Sequence, residues 1–266
     1  MVQLSDYLNR IGHQGEVRPD LATLTALHRA HLTSVPYENL DVQFGRPLTT
    51  DPAAAAEKIA TRGRGGWCYE MNGAFGWALE QIGFEVTRIS CDGNDRGSHL
   101  ILQVVLDGLY ICDVGFGDGP MAPFPLREGP IVQRGYEYRL ERLEAGWRFH
   151  NHRFGLAPNF EFAGPDEAAL AERCQVLQSD PNSTFVQNAV VCRHDEVGYS
   201  TMIGRVLRTS TATGGSKRLI EDADAYVRTL RERFGLDMPQ AAELWPAICA
   251  RHEALFGAGE TASPAA

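Results

Sequence analysis

Arg62-Gly63-Arg64-Gly65-Gly66-Trp67-Cys68-Tyr69-Glu70-Met71-Asn72 places one cysteine where a glycine-rich loop becomes a helix. Beyond it, Met71, Phe75, Ala78 and Ile82 form one helical stripe that stops before Gly83. The spacing predicts Cys68 in or just before the first turn. Free N–H groups and the helix dipole favour an anion there, and Arg62 and Arg64 are close in sequence. These conditions suit a thiolate nucleophile. A small apolar side chain in the core is the better reading of an arbitrary cysteine, so the choice turns on whether a base and its orienting acid follow.

Gly97-Ser98-His99 opens the apolar run Leu100 to Leu106, and after Asp107-Gly108 the run Leu109-Tyr110-Ile111-Cys112 ends in Asp113. Two such runs split by Asp-Gly read as a hairpin. One strand begins with histidine and the other ends with aspartate, so a hairpin packed beside the helix would assemble Cys68, His99 and Asp113 as nucleophile, base and orienter. Strand parity adds a constraint. A two-residue loop at Asp107-Gly108 would put Asp113 opposite Leu102, on the other face from His99. Placement on one face needs a loop of odd length, such as three residues, or a bulge, or one of the two residues just beyond the ladder.

Four pieces in this order resemble the arylamine N-acetyltransferase family: Val35-Pro36-Tyr37-Glu38-Asn39-Leu40-Asp41, Arg64 to Asn72, His99 at the head of its strand, and Asp113-Val114-Gly115-Phe116-Gly117. The likeness continues weakly to the end of the chain. It implies acetyl transfer from acetyl-coenzyme A to an aromatic amine or hydrazine through a Cys68–His99–Asp113 triad. It also implies a brace between Glu38 and Arg64, and a turn at Gly115, Phe116 and Gly117 that borders the coenzyme A and substrate cleft, with Phe116 as a wall of the acceptor pocket. As a lone signal, Gly115-Phe116-Gly117-Asp118-Gly119-Pro120 has no Walker ending and reads as an ordinary turn, although its N–H groups could hold phosphate oxygens.

The composition bounds the rest. A chain of 266 residues with 44% hydrophobic and 22% charged residues suits a soluble globular protein of two or three cooperating domains. A net charge of −9 argues against a nucleic-acid or anionic-membrane surface. No run is long enough to span a bilayer and the N-terminus lacks a signal-peptide pattern, so a cytoplasmic location is expected. The six cysteines are scattered with no C-x-x-C, which suggests reduced thiols and neither a zinc site nor a disulfide framework. No metal is expected, and the chain is read as a monomer or weak homo-oligomer.

The expected fold is α+β with a cysteine-protease-like catalytic core. Residues 1–84 form a helical bundle carrying the nucleophile, with helices at 3–14, 20–33 and after Asp51-Pro52. Residues 85–190 form an antiparallel, barrel-like domain carrying His99 and Asp113. Residues 191–266 form an α/β lid. Within these, a loop is expected at 92–97, a helix at 166–178, strands at 186–192 and 198–207, a polar stretch at 209–215, helices at about 223–234 and 239–252, and a frayed tail from 257. His13, His28 and His31 have no nearby motif and receive no role. A transglutaminase- or cysteine-protease-like enzyme would use the same triad, and an amide synthase acting on carrier-bound polyketides would keep every catalytic residue. A binding protein on this scaffold would be expected to lack a triad member, and none is missing.

Overall fold

The computed structural model describes residues 2–92, 97–156 and 159–257. Its first part is helical: α1 (Leu4–Ile11), α2 (Leu21–Ser34), the single turn α3 (Leu40–Gln43), α4 (Pro52–Thr61) and α5 (Cys68–Ile82). Asp20 and Asp51 cap α2 and α4 by accepting the N–H groups of Thr23 and Ala54. Tyr7, Leu24, Leu27, Ile59, Phe75 and Leu79 are buried together, so the apolar stripes of four helices make one core. Only the two-residue strand β1 (Tyr37–Glu38) interrupts this region.

Eight antiparallel strands follow: β2 (Glu85–Asp92), β3 (His99–Val105), β4 (Leu109–Cys112), β5 (Phe124–Pro125), β6 (Gly129–Gln133), β7 (Tyr136–Leu143), β8 (Gly146–His150) and β9 (Phe160–Phe162). They form a nearly closed, barrel-like sheet in the order β5-β4-β3-β2-β9-β8-β7-β6. Near its open seam, the side-chain amide of Gln133 receives the Ala122 N–H at 2.8 Å and donates to the Ala122 carbonyl at 3.0 Å. Tyr136, Tyr138 and Leu140 point inward from β7 while Glu137 and Arg139 face water, the alternation of a strand with one buried face.

The last part holds α6 (Glu167–Ser179), the turn α7 (Thr184–Gln187), strands β10 (Val190–His194), β11 (Gly198–Ile203), β12 (Val206–Thr211) and β13 (Gly214–Leu219), then α8 (Ala223–Phe234), a 3₁₀ turn (Pro239–Leu244) and α9 (Trp245–Phe256). The five-stranded sheet runs β1-β10-β11-β12-β13, so a strand from the helical region forms its edge. One face packs Val191, Met202 and Leu207 with Tyr226, Leu230 and Phe234 of α8.

The hairpin resolves the parity question. Val105 faces Leu109 and Leu102 faces Cys112, which leaves the three-residue loop Leu106-Asp107-Gly108. Asp113 follows the last paired residue and lies on the His99 side, as an odd loop requires.

Three expectations need correction. The strand expected at 186–192 starts only at Val190, because Ser183 accepts the Phe185 N–H and winds Thr184–Gln187 into a helical turn. The polar stretch 209–215 lies mostly in the β12–β13 hairpin, where β-branched threonines suit a pleated surface and Thr209 and Ser216 share a hydroxyl hydrogen bond of 2.6 Å. The helix expected at 239–252 is a 3₁₀ turn followed by α9, since Pro246 lacks an N–H and starts a helix rather than continuing one. Residues 93–96 of the loop expected at 92–97, and 258–266 of the expected tail, lie outside the described residues.

Candidate active site

Cys68 is the first residue of α5 and is buried. The loop before it is held by charge. Arg64 donates to Glu38 Oε1 through Nε at 2.9 Å and Nη2 at 2.7 Å, and to Asp41 Oδ1 through Nη1 at 3.1 Å. Lys58 Nζ lies 2.8 Å from both Asp41 Oδ2 and Glu70 Oε1. The brace between Glu38 and Arg64 is therefore present, within a buried network of two cations and three carboxylates. Burial works against charge on Arg64 and Lys58, but the surrounding carboxylates outweigh it and raise both above their ordinary values. Glycine is required at position 65, where a Cβ would stand 1.8 Å from the Pro36 carbonyl oxygen.

His99 opens β3 beside α5, and its Nε2 lies 2.7 Å from Asp113 Oδ2. Cys68 stands beside the imidazole and favours its charged form. Burial alone would discharge His99; the Asp113 carboxylate and, to a lesser degree, Cys68 reverse this and push its pKa up to about 10. Burial likewise penalises the charge on Asp113, yet His99, Asn72 and the Gly115 N–H hold that carboxyl below its usual range. The arrangement supplies a sulfur nucleophile, a cationic imidazole and a fixed counter-charge at a helix N-terminus.

Three supports escaped the sequence reading. Asn72 lies four residues after Cys68, so it shares the cysteine's helix face. Its Nδ2 donates to Asp113 Oδ1 at 2.9 Å and to the Leu100 carbonyl at 2.7 Å, and its Oδ1 accepts the Val114 N–H at 2.9 Å. That i+4 spacing was a usable signal. His28, given no role by sequence, accepts the Asp113 N–H on Nε2 at 3.2 Å, while its Nδ1 meets the Met121 carbonyl at 3.2 Å. Phe160 packs against the His99 ring at 5.2 Å between centroids. No local pattern marks either of these last two.

The turn after Asp113 lies directly against the cysteine. A Cβ on Gly115 would stand 2.7 Å from Asn72 Nδ2 and 2.8 Å from Cys68 Cα, so only glycine lets the two segments approach. Phe116 is half-buried, with its ring centroid 5.4 Å from that of His99. Gly117 adopts φ 91° and its carbonyl accepts the Cys192 thiol at 2.8 Å, tying the turn to β10. Asp118 is buried and receives the side-chain amide of Asn151 at 3.2 Å and the backbone N–H of Leu156 at 2.5 Å. Among the described residues all six cysteines are free, no cluster of His, Cys, Asp and Glu is arranged to hold a metal, and no helix is long and apolar enough to cross a membrane.

A cysteine, an imidazole and a carboxylate gathered between a helix and an antiparallel sheet are the parts that cysteine-centred acyl transfer requires, and comparison with known proteins gives the family. Residues 20–243 match the model of a family described as N-acetyltransferase. The arylamine N-acetyltransferase of Mycolicibacterium smegmatis is 43% identical, with 91% of this chain and 94% of that protein covered. Among solved structures, Mycobacterium marinum arylamine N-acetyltransferase in complex with CoA superposes with a TM-score of 0.84 at 31% identity, covering 94% of this chain and 98% of that one. The Mycobacterium tuberculosis arylamine-N-acetyltransferase gives 0.85 at 30% identity, covering 92% and 99%. The chain belongs to the arylamine N-acetyltransferase family and is an acetyltransferase.

Proposed function

We propose that the protein moves an acetyl group from acetyl-coenzyme A to arylamines or arylhydrazines in two half-reactions through an acetyl-Cys68 intermediate. The observation that carries this is the 2.7 Å pairing of His99 Nε2 with Asp113 Oδ2 beside Cys68 at the N-terminus of α5. In the first half-reaction, Cys68 Sγ attacks the thioester carbonyl carbon, the bond to the coenzyme A sulfur breaks, and the His99 imidazolium returns a proton to the departing thiolate. In the second, the amine nitrogen attacks the acetyl-cysteine, His99 takes its proton, and the Cys68 thiolate is released. The backbone N–H of Cys68, among the first of the helix and so without an intrahelical partner, is one donor to the tetrahedral oxyanion.

One thioester replaces another in the first step, so little free energy separates donor and intermediate. An aromatic amine is weakly basic and stays largely unprotonated near neutral pH, which suits the second. Phe116, packed on His99, is proposed as a wall of the acceptor pocket, with Gly115 and Gly117 bordering the donor's path. The reaction as written needs no metal. We propose a cytoplasmic monomer or weak homo-oligomer whose working parts are residues 1–84, 85–190 and 191–266.

The test is the intact mass after incubation with acetyl-coenzyme A and no acceptor. A gain of one acetyl group that requires Cys68 and is lost on adding an arylamine supports the scheme. Absence of acetylation while iodoacetamide still alkylates Cys68 readily would show that the nucleophile is competent and the donor wrong.

A further inference from the structure

The base proposed above sits where its strand loses a neighbour. β4 follows β3 only as far as the pair Leu102 and Cys112. His99, Leu100 and Ile101 therefore have β2 on one flank, where Cys91 faces His99, and no paired strand on the other among the described residues. Ser90, opposite Leu100, gives its N–H to the Gly164 carbonyl, so Ser90 and Leu100 are a non-hydrogen-bonded pair of the ladder and the Leu100 carbonyl points to the open flank. Asn72 of α5 meets it there at 2.7 Å.

One helical turn earlier, α5 makes a second such bond. The Tyr69 hydroxyl donates to the Gly97 carbonyl at 2.6 Å. Tyr69 and Asn72 are i,i+3 neighbours on the helix, and the carbonyls they hold, at 97 and 100, lie on either side of His99 in the chain. Gly97 is itself closely confined. It adopts φ 71°, where glycine is favoured, a Cβ would stand 2.6 Å from the Ala169 carbonyl oxygen of α6, and its N–H donates to Asp92 Oδ1 at 2.8 Å. Tyr69 is fully buried, its ring meeting that of Trp67 edge-on at 5.2 Å. Burial holds its hydroxyl well above the usual tyrosine range, so it stays a donor. Phenylalanine would fill the same space; what the hydroxyl adds is the bond to Gly97.

We infer that Tyr69 is a positioning residue: with Asn72 it straps the main chain on both sides of His99 to the helix that begins with Cys68, and so sets the distance from imidazole to sulfur. This rests on the roles proposed above for Cys68 and His99. Asp113 orients the ring through Nε2, and the strap places the backbone from which the ring hangs.

The test uses Tyr69→Phe, which removes the hydroxyl and keeps the ring, and Tyr69→4-aminophenylalanine, which restores a donor at the same place. In single turnovers with acetyl-coenzyme A, Tyr69→Phe is expected to slow acetylation of Cys68 about tenfold, with full amplitude and a half-saturating donor concentration within about twofold of wild type. The 4-aminophenylalanine variant should recover most of the rate. Alkylation of Cys68 by iodoacetamide at neutral pH, which needs no acyl donor, should slow in parallel. In a His99→Gln background, Tyr69→Phe should change alkylation by less than about twofold, because a group acting through His99 has nothing left to place. An unchanged rate in Tyr69→Phe, a loss of amplitude without a loss of rate, or an equal slowing in the His99→Gln background would overturn the assignment. Alkylation that does not slow in His99→Gln alone would overturn the base, and the strap with it. Wild-type protein that is never acetylated by acetyl-coenzyme A, while its alkylation still responds to Tyr69→Phe, would uphold the strap and overturn the donor.

Discussion

The buried imidazole of His28 accepts the backbone N–H of Asp113 at 3.2 Å, so a residue of the second helix fixes the main chain of the carboxylate paired with His99. Burial lowers the His28 pKa to about 4, which keeps the ring neutral: Nε2 accepts and Nδ1–H donates to Met121. His28→Phe should leave that N–H unsatisfied, destabilise the fold by about 1–3 kcal/mol and slow acetylation of Cys68. His28→Gln, which can present an acceptor, should recover part of both losses. Thermal unfolding and single-turnover acetylation measured side by side check this; equal behaviour of the two variants would count against the hydrogen bond.

The pH dependence follows from His99. Its folded value of about 10 lies above the ordinary 6.5, so its contribution to stability is complete below about 6.5 and is lost as pH rises through 10. Acetylation of Cys68 should accordingly persist across neutral pH and fall as pH passes about 10. Asp113→Asn removes the larger of the two influences that raise the value, so the alkaline fall should move to lower pH. A pH–rate profile in which the variant's fall stays in place would refute this origin.

Asn72 satisfies three backbone or carboxylate groups at once. Asn72→Ala should cost about 2–4 kcal/mol of stability, since several buried partners lose their bonds together. Asn72→Asp should disturb catalysis more than stability, because a second carboxylate would face Asp113. Chemical denaturation and acetylation rates of the two variants separate these effects.

The approach of Gly115 to Cys68 leaves no room for a methyl group. Gly115→Ala should therefore displace the 113–117 turn and lower acetylation by at least about tenfold, as misplacing reacting groups by a fraction of an ångström does. Gly108→Ala, where a Cβ meets nothing within 4 Å, is the matched control and should acetylate normally.

Much of the site could be read from sequence because it rests on local pattern. The Met71–Ile82 stripe and Gly83 set α5, and the parity of the 99–113 hairpin called for an odd loop, a bulge or a residue beyond the ladder, of which the odd loop is present with Asp113 just past the last pair. The Arg64–Glu38 brace was one of two readings of a lone carboxylate among apolar residues, and the resemblance also implied it. Asn72 was within reach of helical geometry and was passed over. His28 was not, because its contact crosses 85 residues of chain and depends on how α2 lies against β4. The errors at Val186 and in 209–215 share one cause: a serine cap overrode apolar composition in the first, and strand pairing overrode polar composition in the second.

The three-residue loop Leu106-Asp107-Gly108 has a further consequence for how the protein tolerates insertions and deletions. Surface turns ordinarily accept changes of length at small cost. Here, the gain or loss of one residue would rotate Asp113 to the opposite side of its strand, whereas a change of two would return it to the His99 side. Odd and even length changes at one solvent-facing turn should thus divide inactive from active descendants of this sequence, far from any atom that reacts.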